Sequence, residues 1–117
     1  MRIWTVIAAL FGLAGVISGA YAAHGIQDAH AAEMVKTASL YAMIHAAVLI
    51  GWDRGHGRMA GLARLALTFG VVLFSGSLMA KYILHFVPIT DLAPAGGVLL
   101  IAGWALIVLN TTFSKAS

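Results

Sequence analysis

The sequence has no cysteine, two prolines and four acidic residues. Without cysteine there are no disulfides, no iron–sulfur clusters and no thiolate zinc sites. Charge is scarce as well. Lys, Arg, Asp and Glu make up 9% of the chain, against about 25% in an ordinary soluble domain. So few charges cannot keep a folded chain of 117 residues in aqueous solution. What is abundant is apolar: 62% of the residues, with a mean hydropathy of +0.96. These figures exclude a disordered segment, a fibrous repeat and a soluble globular domain, and they make lipid the expected solvent. The length leaves room for a single transmembrane domain, 1–117. The net charge of +3 comes without a basic cluster interleaved with aromatics, so no nucleic-acid partner is expected.

A hydrocarbon core of ~30 Å takes about 20 residues of helix. Four stretches qualify, at about 3–23, 31–52, 65–86 and 94–109. The second reaches full length by taking Glu33 and Lys36 into the interface. Pro94 opens the fourth, where a first-turn proline costs little. The fold class expected is all-α, an integral membrane bundle of four transmembrane helices. Arg2, the apolar run and Ala20-Tyr21-Ala22 also have the outline of a secretory signal; an uncleaved first helix is the reading kept. The connections fall at Gly25 to His30, at Asp53 to Gly61 and at Val87 to Ala93. Arg2, Arg54, Arg58, Arg64 and Lys115 sort to one side and Lys36 and Lys81 to the other. By the positive-inside rule both termini are cytoplasmic. Trp4, Tyr21, Trp52 and Tyr82 sit near span ends as interfacial anchors.

Small residues crowd the first span, where Gly15 and Gly19 form a GxxxG with Ala8 and Ala23 continuing the face. Lipid tails give helices no hydrophobic reason to associate, so close backbone approach through small residues matters. Bundle packing and an oligomer seam both fit this pattern. The third span carries Ser75-Gly76-Ser77, and the fourth carries Gly96, Gly97 and Gly103.

Polar residues follow helical spacing. Glu33, Thr37, Tyr41 and His45 recur every four positions, and so do Ser77, Lys81 and His85. Residues so spaced share a helix face. Polar groups in hydrocarbon are costly, so such faces look inward or lie near headgroups. The plain reading is inter-helix hydrogen bonding. A metal site would draw on His24, His30, Glu33 and His85, yet His30 and Glu33 reverse the E-x-x-H order of diiron bundles. Bis-histidine haem is disfavoured because His45 and His85 lie at different depths. A proton or ion path through His45, Lys81 and His85 would need an oligomer. No GxSxG, P-loop, GxGxxG or HExxH is present.

Five segments occur in order: Gly19-Ala20-Tyr21-Ala22-Ala23-His24-Gly25; Thr37-Ala38 followed by Tyr41 and His45-Ala46; Phe74-Ser75-Gly76-Ser77-Leu78; Pro94-Ala95-Gly96-Gly97; and Gly103-Trp104. Together, from about Leu10 to Leu109, they resemble a family of small bacterial membrane proteins, domain-of-unknown-function family number 423, which has a small mitochondrial transmembrane relative in animals. The resemblance implies four transmembrane helices, residence in the inner membrane and no settled activity. It marks His24, Gly25, Thr37, Tyr41, His45, Ser75, Gly76, Ser77, Pro94, Gly96 and Gly97 as characteristic positions. Ala22 stands where the family often has glycine, and Lys81 where an apolar residue is usual.

The expectation is a non-catalytic binding, scaffolding or accessory subunit with an outward-facing polar pocket. Its residues would be His24, Gly25, Thr37, Tyr41, His45, Ser75, Gly76, Ser77 and Lys81. Tyr41 and His45 would supply hydrogen bonds, and Gly25 and Gly76 would allow close approach. The alternatives are an oligomeric transporter or proton-conducting unit, and a metal- or haem-binding membrane protein. No cofactor is expected. The partners expected are the lipid bilayer and either a larger membrane complex or further copies of the chain.

Overall fold

The computed structural model describes residues 3–51, 57–85 and 92–113. They form four helices: α1 (Ile3–His24), α2 (Ala29–Gly51), α3 (Arg58–Tyr82) and α4 (Leu92–Phe113). Each is long and apolar enough to cross a membrane, and there is no strand among the described residues. The protein is an all-α integral membrane four-helix bundle, about 50 Å long and 24 by 20 Å across. Arg2, Trp52, the basic connection from Asp53 to His56, Phe86, most of the Val87 to Ala93 connection and Lys115 lie outside the described residues.

Local chemistry sets the helix ends. Backbone N–H groups of Gly25 and Ile26 both donate to the Tyr21 carbonyl, at 2.6 and 3.2 Å, and close α1. The Asp28 carboxylate accepts from the Ala31 N–H at 2.8 Å, a side-chain cap that starts α2. Gly57 precedes α3 with φ of 93°, a backbone conformation only glycine adopts without strain.

Helix α3 therefore begins seven residues before the Leu65 expected from hydropathy. Apolar content marks only the part in hydrocarbon, whereas the helix continues through the interface with Arg58 and Arg64 on its first turns. At the other end α3 stops at Tyr82, short of the expected Phe86. His85 lies beyond the helix with φ of 58°. The expected stripe of Ser77, Lys81 and His85 is thus broken, because His85 is not on the helical face. Helix α4 begins at Leu92 and runs on through Asn110, Thr111 and Thr112, with Pro94 in its first turn.

The bundle keeps small residues inside and large ones outside. Ala8, Val35, Ala38, Ala60, Ala63 and Leu67 are fully buried, while Leu10, Leu13, Ile17, Ile101 and Val108 are exposed. In water that arrangement would be unfavourable, but in lipid a leucine gains little by turning inward and close backbone contact decides the packing.

Successive helices pack antiparallel. Gly12, Gly15 and Gly19 of α1 lie against Ala46, Met43 and Ser39 of α2. The GxxxG is thereby used within the bundle, and Ser39 Oγ donates across the seam to the Gly15 carbonyl at 2.6 Å. Ser75 Oγ of α3 donates to the Ala38 carbonyl of α2 at 2.8 Å. Between α3 and α4 the approach is closer still. A Cβ on Gly96 would run into the α3 backbone, 2.7 Å from the Gly70 carbonyl oxygen and 2.9 Å from the Leu73 carbonyl carbon. Ala42, Leu67, Val71 and Leu100 form the apolar centre shared by α2, α3 and α4.

Candidate functional site

α3 packs between α2 and α4, which leaves a groove on its far side. The groove has a volume of about 600 Å³ and is walled by Tyr41 and His45 of α2, Phe74 of α3, and Pro94, Val98, Ile101 and Trp104 of α4. Phe74 forms the back wall because Gly96 brings α4 onto the α3 backbone beside it. The Tyr41 and Phe74 rings stack at 4.6 Å between centroids.

The lower end is closed by a pair of polar side chains. Trp104 Nε1–H donates to His45 Nε2 at 3.0 Å, with the two rings edge to face at 5.8 Å. His45 Nδ1 lies 2.6 Å from the Tyr41 carbonyl. A carbonyl only accepts and an indole N–H only donates, so these partners fix the tautomer: Nδ1 carries the proton and Nε2 does not. His45 is 4% exposed, and both of its ring nitrogens are committed inside the bundle. Beyond Trp104 lies a second cavity of about 300 Å³, lined by Ala47, Val48, Gly51, Trp104 and Ile107. Trp104 is the wall between the two.

The remaining residues singled out from sequence are spread along the bundle. Thr37 Oγ1 donates to the Glu33 carbonyl at 3.0 Å and Ser77 Oγ to the Phe74 carbonyl at 3.1 Å, each within its own helix. Ser75 serves the α2–α3 seam. Gly25 follows the end of α1, and the atoms nearest to a Cβ there belong to Tyr21, its ring and its carbonyl oxygen. No other helix of the bundle approaches Gly76: a Cβ there meets nothing within 4 Å. It lies on the exposed face of α3, one position away from the buried Ser75 and Ser77. His24 and Glu33 are exposed. Lys81 Nζ sits 4.9 Å above the Tyr82 ring, whose hydroxyl lies 3.4 Å from His30 Nε2. Among the described residues no three His, Asp or Glu side chains gather as metal ligands, so His24, His30, Glu33 and His85 are not brought together.

The sequence reading placed Tyr41 and His45 on one face but did not pair His45 with Trp104. A signal was present. Trp104 is twelve residues into α4, too deep to be an interfacial anchor, and an indole N–H at that depth needs an acceptor.

The profile of the family described as Protein of unknown function (DUF423) matches residues 18–97, which takes in α2, α3 and the upper wall of the groove on α4. The chain belongs to this family. A UPF0382 membrane protein of Staphylococcus saprophyticus is 31% identical over 95% of this chain and 98% of its own length. A UPF0382 membrane protein of Schizosaccharomyces pombe is 34% identical, covering 93% of this chain and all of its own. The UPF0382 inner membrane protein YgdD of Escherichia coli is 31% identical over 93% of this chain and 88% of its own length. No solved structure matches.

Proposed function

We propose that this DUF423 member is a non-catalytic binding protein of the inner membrane, and that the groove between α2 and α4 takes the apolar chain of an amphiphile. The groove itself carries the reading. Its volume of about 600 Å³ falls within the ~300–1,000 Å³ typical of small-molecule sites, and its walls are apolar or aromatic. It opens sideways within the spanning part of the helices, where an acyl or isoprenoid chain is the abundant solute. The histidine and the two serines nearest the groove are already engaged. Ser75 and Ser77 donate to backbone carbonyls, and both His45 nitrogens are bonded. Neither serine is paired with a base. Both termini are placed on the cytoplasmic side by the excess of basic residues there.

Native mass spectrometry of the protein released from mild detergent tests this. Wild type is expected to retain a lipid or other amphiphile that Gly97→Leu loses. Gly97 lines the groove and a Cβ there meets nothing within 4 Å, so the larger side chain fills space without disturbing a seam. Equal retention by the two proteins contradicts the proposal.

A further inference from the structure

A cation stands above the residues that line the groove. Lys81 is seven residues beyond Phe74 on α3. Seven residues are close to two full turns, so Lys81 stands on the same face as Phe74, about 10 Å further along the axis. Antiparallel pairing of α2 and α3 brings Ala38 to Ser75 and His30 to Tyr82. His30 and Tyr82 therefore flank Lys81 at the end of the bundle where Leu92 starts α4. Lys81 has no carboxylate partner among the described residues; its contact is with the Tyr82 ring. Neither described carboxylate at this end pairs with it. Asp28 caps α2, and Glu33 is exposed.

A second polar group lies between the cation and the apolar floor. The Tyr41 hydroxyl has no hydrogen-bond partner among the described residues, although its ring is stacked on Phe74. Side chains on a helix tilt toward its N-terminus, which for Tyr41 is toward the level of Lys81. From top to bottom the wall thus offers an ammonium and a hydroxyl, neither bonded to a described residue, and an apolar channel ending at Trp104. That is the order of groups in one leg of a glycerophospholipid: phosphate, ester carbonyl and acyl chain.

We infer that the groove selects an anionic glycerophospholipid, with its phosphate at Lys81, an ester carbonyl at the Tyr41 hydroxyl and one acyl chain against Phe74, Val98 and Ile101. This rests on the groove being a chain-binding site, as proposed above. Both terms of the selection are physical. The groove takes any acyl chain of suitable length, whereas Lys81 favours a net negative headgroup over a zwitterionic one. A single lysine near the membrane surface gives about a fivefold preference.

The test uses Trp104 as the reporter. The chain has three tryptophans, so Trp4→Phe with Trp52→Phe leaves Trp104 alone. That protein is reconstituted in phosphatidylcholine bilayers holding a small fraction of a lipid with brominated chains, either phosphatidylglycerol or phosphatidylcholine. Brominated phosphatidylglycerol is expected to quench Trp104 at about one fifth of the mole fraction that brominated phosphatidylcholine needs. Lys81→Gln is expected to abolish the difference while leaving quenching by phosphatidylcholine intact. Gly97→Leu, and independently Ile101→Phe, are expected to lower quenching by both lipids. Equal quenching by the two lipids in the parent protein overturns the headgroup selection and leaves the groove reading standing. A preference unchanged in Lys81→Gln assigns it to other groups and also overturns the inference. Unchanged quenching in both groove-filling variants overturns the groove reading itself.

Discussion

His45 and Trp104 are both polar at a depth where hydrocarbon offers no partner, and each is the other's solution. The histidine uses its Nδ1 proton on the Tyr41 carbonyl and turns Nε2 to the indole N–H. Trp104→Phe keeps most of the ring volume but removes the donor, which leaves His45 Nε2 without a protein partner. The expected cost is about 1 kcal/mol, within the range found for hydrogen bonds between membrane helices. Steric-trap unfolding in bicelles measures it, and the indole N–H resonance of Trp104 reports the bond directly. In His45→Phe that resonance should move upfield; an unchanged shift would mean that the bond is absent. The spacing of Tyr41 and His45 was legible in the sequence, since a four-residue step fixes a shared face. Their bonding was not, because Trp104 comes 59 residues after His45 and only the packing of α3 against α4 brings it there.

Among the helices the glycines are not equivalent, although their sequence contexts look alike. Gly96 carries the backbone contact between α4 and α3, and the atoms a Cβ would meet there belong to the main chain. Main chain cannot rotate aside as a side chain can, so Gly96→Ala must push the helices apart. A cost of about 1–3 kcal/mol is expected, the usual penalty of overpacking. Gly76→Ala faces open space and should stay within about 0.5 kcal/mol of wild type. Parallel unfolding curves for the two variants check the contrast, and equal losses would contradict the seam. The four spans were legible from hydropathy alone. Apart from the polar spacing on α2 the faces were not, because the helices carry apolar residues on all sides and the pattern that sets their rotation is one of size. The GxxxG of α1 identified a seam, but its use against α2 rather than a second copy follows from the positions of Ser39 and Met43. The stripe on α3 misled because it ran past the end of the helix, where His85 takes a left-handed backbone conformation.

For the whole molecule, the proposed topology has four crossings with both termini on one side of the membrane, the side that the positive-inside rule assigns to the cytoplasm. Because the chain has no cysteine, single engineered thiols report sidedness without background. Gln27→Cys, in the connection between α1 and α2, should react with an impermeant maleimide on intact spheroplasts. Ser117→Cys should react only after lysis. The reverse pattern would invert the topology and put Lys81 in the inner leaflet.

The bundle's lateral groove is the centre of the account, and photolabelling examines it most directly. A phospholipid with a diazirine near the middle of its acyl chain is incorporated at low mole fraction and activated, and the labelled peptides are sequenced. Label is expected to concentrate on Phe74, Val98 and Ile101, which line the groove, and to be lost from those positions in Gly97→Leu. Label distributed equally between the groove and the lipid-facing Leu10, Leu13 and Ile17 of α1 would contradict a bound chain.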